Sequence, residues 1–190
     1  MNKLYTTIVA IGFSISMSSC FFFDTKEQNN NNRDEENNET TLHDRNKIDD
    51  SNGPIAIDFS LNDIKGNEVS LMDIVSGSEI TIVDFWASWC QPCMREMPNL
   101  VRLYENYSDD GLAILGVSLD NDKKAWEHAV ETMGMKWVQV SDLKGWDNHA
   151  ARLYQVESIP HTIILDKNGH ILAEDLRGHE LEEFISDYIE

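Results

Sequence analysis

Apolar residues are almost absent between residues 24 and 53 and then recur with two distinct periods to the end of the chain. The first patterned segment, Pro54 to Leu61 followed by Lys65 to Leu71, reads as a β-hairpin with a glycine-centred turn. Glu79 to Trp86 is a short run rich in β-branched and aromatic residues, which suits a strand buried on both faces. The period then changes: Met97, Leu100, Val101 and Tyr104 place an apolar stripe on one side of a helix that extends to Tyr107. Beyond it the pattern predicts a strand over Leu112 to Ser118 and a helix from about Asn121 to Met133. That helix buries Trp126, Ala129, Val130 and Met133 and stops at Gly134. A strand over Trp137 to Val140 and a short helix around His149 to Tyr154 follow, then a strand from a proline loop to Asp166. Asn168-Gly169 turns the chain into an antiparallel partner strand. Leu181, Phe184, Ile185 and Tyr188 mark a closing helix. Strands alternating with helices predict an α/β domain, with a mixed central sheet covered by helices on both faces.

The residues ahead of this domain call for a different reading. Lys3, the apolar stretch from Leu4 to Met17 and the small residues Ser18-Ser19 before Cys20 form an export signal too short to be a spanning helix. The small residues before Cys20 resemble a bacterial lipobox, after which the cysteine is lipidated and becomes the mature N-terminus. Residues 24–53, with Asn29 to Asn32 and clusters such as Asp34-Glu35-Glu36, cannot bury enough surface to offset chain entropy, and 21–53 is expected to form an acidic, asparagine-rich disordered tether. This partition gives a signal over 1–20, a tether over 21–53 and one domain over 54–190. The formal net charge of -19 argues against a nucleic-acid partner and against adsorption to anionic lipid.

Cys90-Gln91-Pro92-Cys93 carries the chemistry. The pair falls where the strand ending at Trp86 becomes a helix, with Cys90 near the helix N-terminus and Cys93 about one turn in. Unpaired backbone N–H groups and the positive end of the helix dipole lower the pKa of a thiol at Cys90 below the free value of ~8.5, which makes it the nucleophile. Cys93, held at high effective concentration, is the resolving residue. Pro92 pre-sets φ in the first helical turn, where its missing N–H would have had no intrahelical partner. Half of a zinc site is the competing reading, but a closed site needs four ligands, and no second cysteine pair or His-x₃₋₅-His run completes it. No metal and no cofactor other than the dithiol is expected. Trp89, beside Cys90, is expected to be partly exposed and to contact a partner, whereas Trp86 packs in the core.

Val83-Asp84-Phe85-Trp86-Ala87-Ser88-Trp89-Cys90-Gln91-Pro92-Cys93, with Pro98 inside the following helix, resembles the active-site segment of the thioredoxins. Three further segments are similar to the membrane-anchored thiol–disulfide reductases of the ResA and TlpA type: the N-terminal hairpin, Val117-Ser118-Leu119-Asp120 leading into Ala125-Trp126, and Ser158-Ile159-Pro160-His161 with the strand and turn to Gly169. The resemblance implies a three-layer α/β/α sandwich with a mixed sheet, an N-terminal β-hairpin and a central insertion. It makes Pro160 a cis-proline facing the cysteines, with the Ile159 backbone as a substrate contact. Asp84 matches a buried acid that moves the proton of the resolving cysteine, against the plainer reading of a sheet-end carboxylate in water. Glu96 matches a glutamate that tunes thiol reactivity, against the reading of a first-turn acid that favours the helix dipole.

The Gln-Pro dipeptide between the cysteines and His161 after the proline depart from thioredoxin itself; His161 is a candidate for pH-dependent activity. The function implied is a monomeric, lipid-anchored, extracytoplasmic reductase of the bacterial cell envelope, periplasmic or otherwise outside the cytoplasm. It would act on protein disulfides, with electrons from a membrane thiol donor and cytochrome c maturation as one pathway. An oxidase or isomerase would use the same cysteines in the opposite direction, and a surface binding module would hold a structural disulfide. A peroxide reductase would want a separate peroxidatic cysteine.

Overall fold

The structure is a computed structural model and describes residues 53–189. The expected signal, Cys20 and nearly all of the tether lie outside the described residues. The described chain runs β1 (Ser60–Asp63), β2 (Glu68–Ser70), α1 (Leu71–Ser76), β3 (Ile80–Trp86), α2 (Gln91–Tyr107), β4 (Leu112–Ser118), α3 (Lys123–Met133), β5 (Val138–Ser141), α4 (His149–Leu153), β6 (His161–Asp166), β7 (Ile171–Glu174) and α5 (Gly178–Ile189). The strands form one sheet in the order β2-β1-β5-β4-β3-β6-β7. β3, β4 and β5 are parallel, and the flanking pairings are antiparallel. This is the mixed, thioredoxin-like α/β arrangement that the sequence implied.

All seven residues of β3 are buried, so both faces of the sheet are covered at its centre. On one face of β3 lie Ile82, Asp84 and Trp86; on the other, Phe85 meets Tyr154 and His161. The Trp86 indole donates to Gln139 Oε1 at 3.0 Å. Gln139 lies against Gly116 in the register of β4 and β5, and a Cβ at Gly116 would collide with its carboxamide. A side chain at that glycine would displace the buried partner of Trp86.

Two features differ from the sequence reading. The first hairpin strand starts at Ser60, because residues 54–56 pair elsewhere: Ile55 bridges His170, and the Ala56 amide donates to the Gly169 carbonyl at 2.8 Å. The segment between then runs from the β6–β7 turn to the opposite edge of the sheet. It is held there by Tyr154 Oη, which donates to the Ile57 carbonyl at 2.7 Å, and by Phe59 packed edge-on against the Tyr154 ring. The second strand ends at Ser70 and Leu71 begins a helix. Ser70 Oγ accepts from the amides of Met72 and Asp73, while Asp58 in turn accepts from Ser70 Oγ and Met72 N. Leu71 and Val75 then supply the single buried turn of α1.

Candidate active site

The loop from β3 to α2 is fixed before the cysteines are reached. The Asp120 carboxylate accepts from the Ser88 amide at 3.0 Å, from Ser88 Oγ at 2.6 Å and from Ser118 Oγ at 2.8 Å. This buried acid anchors Ala87-Ser88-Trp89 to the end of β4. Cys90 is the N-cap of α2, with extended backbone, and its sulfur accepts the Cys93 amide at 3.2 Å. Pro92 sits in the first turn. The two sulfurs are joined in a disulfide, S–S 2.09 Å with Cα atoms 5.3 Å apart. Cys93 is wholly buried, while Cys90 keeps 5% of its surface exposed. Of the two cysteines, only Cys90 keeps any surface in contact with solvent.

Across from the sulfurs, the Ile159–Pro160 peptide is cis. The Ile159 carbonyl oxygen lies 3.7 Å from Cys90 Sγ. The Pro160 carbonyl accepts from the Arg177 guanidinium, which also meets Asp175 Oδ1 at 3.1 Å. Asp175 Oδ1 lies 2.9 Å from His161 Nδ1. His161 therefore packs on Phe85 and turns its ring nitrogen toward the Arg177–Asp175 pair.

The central strand β3 carries a buried carboxyl group. Asp84, 1% exposed, stands between Gly116 and Thr162 in the strand registers. Among the described residues, its Oδ2 has no hydrogen-bond partner. Its pKa is raised to about 7, chiefly by burial; the charge of Glu96 contributes to the rise and the Arg177 guanidinium opposes it. Glu96 is one turn beyond Cys93, and its Oε1 accepts from the Gly178 amide at 2.8 Å and from Asn99 Nδ2 at 2.8 Å. Asn99 Nδ2 also donates to the Gly178 carbonyl at 3.2 Å. Glu96 thus pins the start of α5 to α2, and through the adjoining Arg177 the clamp continues to the cis-proline loop. Among the described residues, no cluster of three or more His, Cys, Asp and Glu side chains is placed to hold a metal ion.

The cysteine pair is joined in a disulfide at a helix N-terminus beside a cis-proline. Residues 53–174, which include it, match the model of the AhpC/TSA family. The chain belongs to the AhpC/TSA family. It is 34% identical over 138 residues to the thiol-disulfide oxidoreductase ResA of Geobacillus kaustophilus, covering 73% of this chain and 76% of the relative. Among solved structures it is similar to the thioredoxin domain of a thiol-disulfide oxidoreductase from Bacteroides vulgatus (TM-score 0.67, 33% identity, 73% of this chain and 97% of that one). It is equally similar to a thiol-disulfide oxidoreductase from Bacteroides fragilis (TM-score 0.66, 34% identity, 70% and 98%). With these relatives, this member of the family is a thiol–disulfide oxidoreductase of the ResA type, and Cys90-Cys93 is its CxxC pair.

The structure gathers Cys90, Cys93, Pro92, Ile159 and Pro160 at one point, and puts Asp84 and Glu96 close enough for their charges to interact. It also places Trp89 at the surface, half exposed, and Trp86 fully inside. Sequence reasoning missed Arg177 and Asp175, which brace the proline loop, and Asp120 as the anchor of the cysteine loop. An Arg-Gly pair at the start of the closing helix was the available signal for Arg177, but the proline-loop carbonyl it braces lies 17 residues away and no local pattern reveals it.

Proposed function

We propose that this protein reduces disulfides in other proteins outside the cytoplasm, anchored to a membrane through lipidated Cys20. The observation that carries the reading is Cys90 Sγ at the N-cap of α2, accepting the Cys93 N–H and lying beside the Ile159 carbonyl. A thiolate at that position is stabilised by the same N–H and by the helix dipole, so Cys90 is the nucleophile. In the reduced enzyme it attacks one sulfur of a substrate disulfide, forms a mixed disulfide and releases the other substrate sulfur as a thiolate. The Cys93 thiol passes its proton to Asp84, whose pKa of about 7 suits the transfer near neutral pH, and attacks Cys90 Sγ. The second substrate sulfur leaves as a thiolate and takes up the proton held by Asp84, and two electrons have moved from the enzyme to the substrate. The product is the Cys90–Cys93 disulfide, so the dithiol serves as the sole redox group and a membrane thiol donor must regenerate it.

Ile159 and Pro160 present a backbone edge to an extended substrate, Pro92 stiffens the catalytic turn, and Glu96 tunes the pair through Asp84. Charge around the pair sets the direction of electron flow. A dithiol pair becomes oxidising when its reduced, thiolate form is stabilised, as in DsbA. Here a buried acid and a second carboxylate one turn beyond Cys93 oppose added negative charge, which favours electron release. The similarity to ResA supports the same direction and makes apocytochrome c a candidate substrate. The catalytic unit is a single chain. Replacing Cys90 with Ser should abolish reduction of insulin disulfides, and replacing Cys93 with Ser should accumulate mixed disulfides with the natural substrates. Retained insulin reduction by Cys90→Ser would sink the assignment.

A further inference from the structure

Among the described residues, every Phe, Tyr and Trp is buried or half-buried except Trp89 and Trp146, which are 50% and 48% exposed. These two are in contact, ring centroids 6.2 Å apart with planes at 54°. Trp89 adjoins Cys90, and Trp146 sits in the loop leaving the carboxyl end of β5, a strand parallel to β3. Exposing two large indoles side by side at this end costs hydration free energy that burial would recover, and neither ring is needed by the core.

Both loops are built to hold the rings still. Asp120 grips Ser88 and Ser118 on one side. On the other, Ser141 Oγ donates to the Ser118 carbonyl at 2.8 Å and accepts the Leu143 amide at 3.1 Å. Asp142 then accepts from Asn148 Nδ2 at 2.9 Å and from the His149 amide at 3.0 Å, which closes the loop onto α4. Ser88, Asp120, Ser118, Ser141 and Leu143 are therefore one continuous hydrogen-bonded chain linking the two indole-bearing loops. Rigid aromatic surfaces bind with little loss of side-chain entropy.

We propose that Trp89 and Trp146 form a preformed ledge that docks a large apolar side chain of an extended polypeptide, flanking the cysteine that Cys90 attacks. The occupant follows from continuity with the site, and the inference rests on the reading of Cys90 as nucleophile. A substrate strand paired with the Ile159 edge puts successive side chains on alternate sides, so a neighbour of the substrate cysteine is directed toward the surface beside Cys90. The ledge thus selects among protein disulfides by the residue next to the cysteine, and Trp146 is a specificity residue.

The test uses the full chain carrying Cys93→Ser, so that the reaction stops at the mixed disulfide. Two peptides, with Phe or Ser beside a cysteine capped by thionitrobenzoate, are compared by release of the coloured thiolate. The rate of the double variant lacking both active-site cysteines is subtracted to remove any reaction at Cys20. The Phe peptide is expected to react about tenfold faster, the scale of one aromatic contact. Adding Trp146→Ala should bring the ratio of the two rates toward one, whereas Trp146→Phe should keep most of it. Equal rates for both peptides, or a ratio unmoved by Trp146→Ala, would overturn the ledge while leaving Cys90 as nucleophile. If neither peptide exceeds the subtracted rate, the reading of Cys90 fails and takes the ledge with it.

Discussion

Buried between Gly116 and Thr162, the Asp84 carboxyl is held in its protonated form until about pH 7, against an ordinary value of 3.8. The unfolded chain releases that proton near pH 4, so between the two values the native state binds the extra proton and stability falls as pH rises. The loss is complete above the native pKa and amounts to about 4 kcal/mol across the interval. Asp84→Asn removes the titration. In denaturant melts of the oxidised protein its stability should gain on the wild type by that order between pH 4 and pH 8, and a pH-independent difference would show that Asp84 ionises normally. Its neighbours act with opposite signs. Glu96→Gln should lower the Asp84 pKa and Arg177→Gln should raise it, as read from the carboxyl carbon resonance; shifts of the same sign would exclude the charge coupling. The pairing of Cys90 with Cys93 and the cis-proline at Pro160 were legible in the sequence because each lies in a recognisable motif. Arg177, Asp175 and Trp146 were not, because their contacts with Pro160, His161 and Trp89 form only when loops distant in sequence meet.

The strands and long helices followed from periodicity, since β3, α2 and α3 each present a buried face of several residues. The sequence reading failed where an element is short or its partner remote. α1 has only two buried residues and depends on Asp58, 12 residues upstream, to complete its cap. Pro54 to Ala56 look like strand but pair with the turn at Gly169 and His170. That turn is itself held by one acid. Asp166 Oδ1 accepts the amides of Asn168 and His170 at 2.9 and 2.7 Å, and Oδ2 meets His170 Nδ1 at 3.0 Å. Burial works to raise its pKa, but these bonds outweigh it and hold the carboxyl below the usual range. Asp166→Ala should cost on the order of 2 kcal/mol in thermal or denaturant melts. Because Asp166 pairs with Ile80 at the start of β3, away from the cysteines, peptide-disulfide reduction in the folded variant should be kept. A loss of activity without a loss of stability would contradict this division of labour.

For the whole molecule, the polar stretch of residues 24–53 and the net charge of -19 suit the proposed anchoring, with the domain kept from sticking to the membrane by charge. None of the described helices is long and apolar enough to cross a membrane. If Cys20 supplies the anchor, Cys20→Ala should move the protein from the detergent phase to the aqueous phase in detergent partitioning, with the Cys90–Cys93 chemistry unchanged. Retention in the detergent phase would remove the lipid from the account. The central claim is that the pair donates electrons to substrates. Equilibrating the protein with defined thiol–disulfide buffers measures the reduction potential of Cys90–Cys93 directly. A reductase has a strongly reducing value, close to the thioredoxin range of about −270 mV, and that is the expected result, whereas a value near the about −120 mV of DsbA would make the protein an oxidase and contradict electron donation.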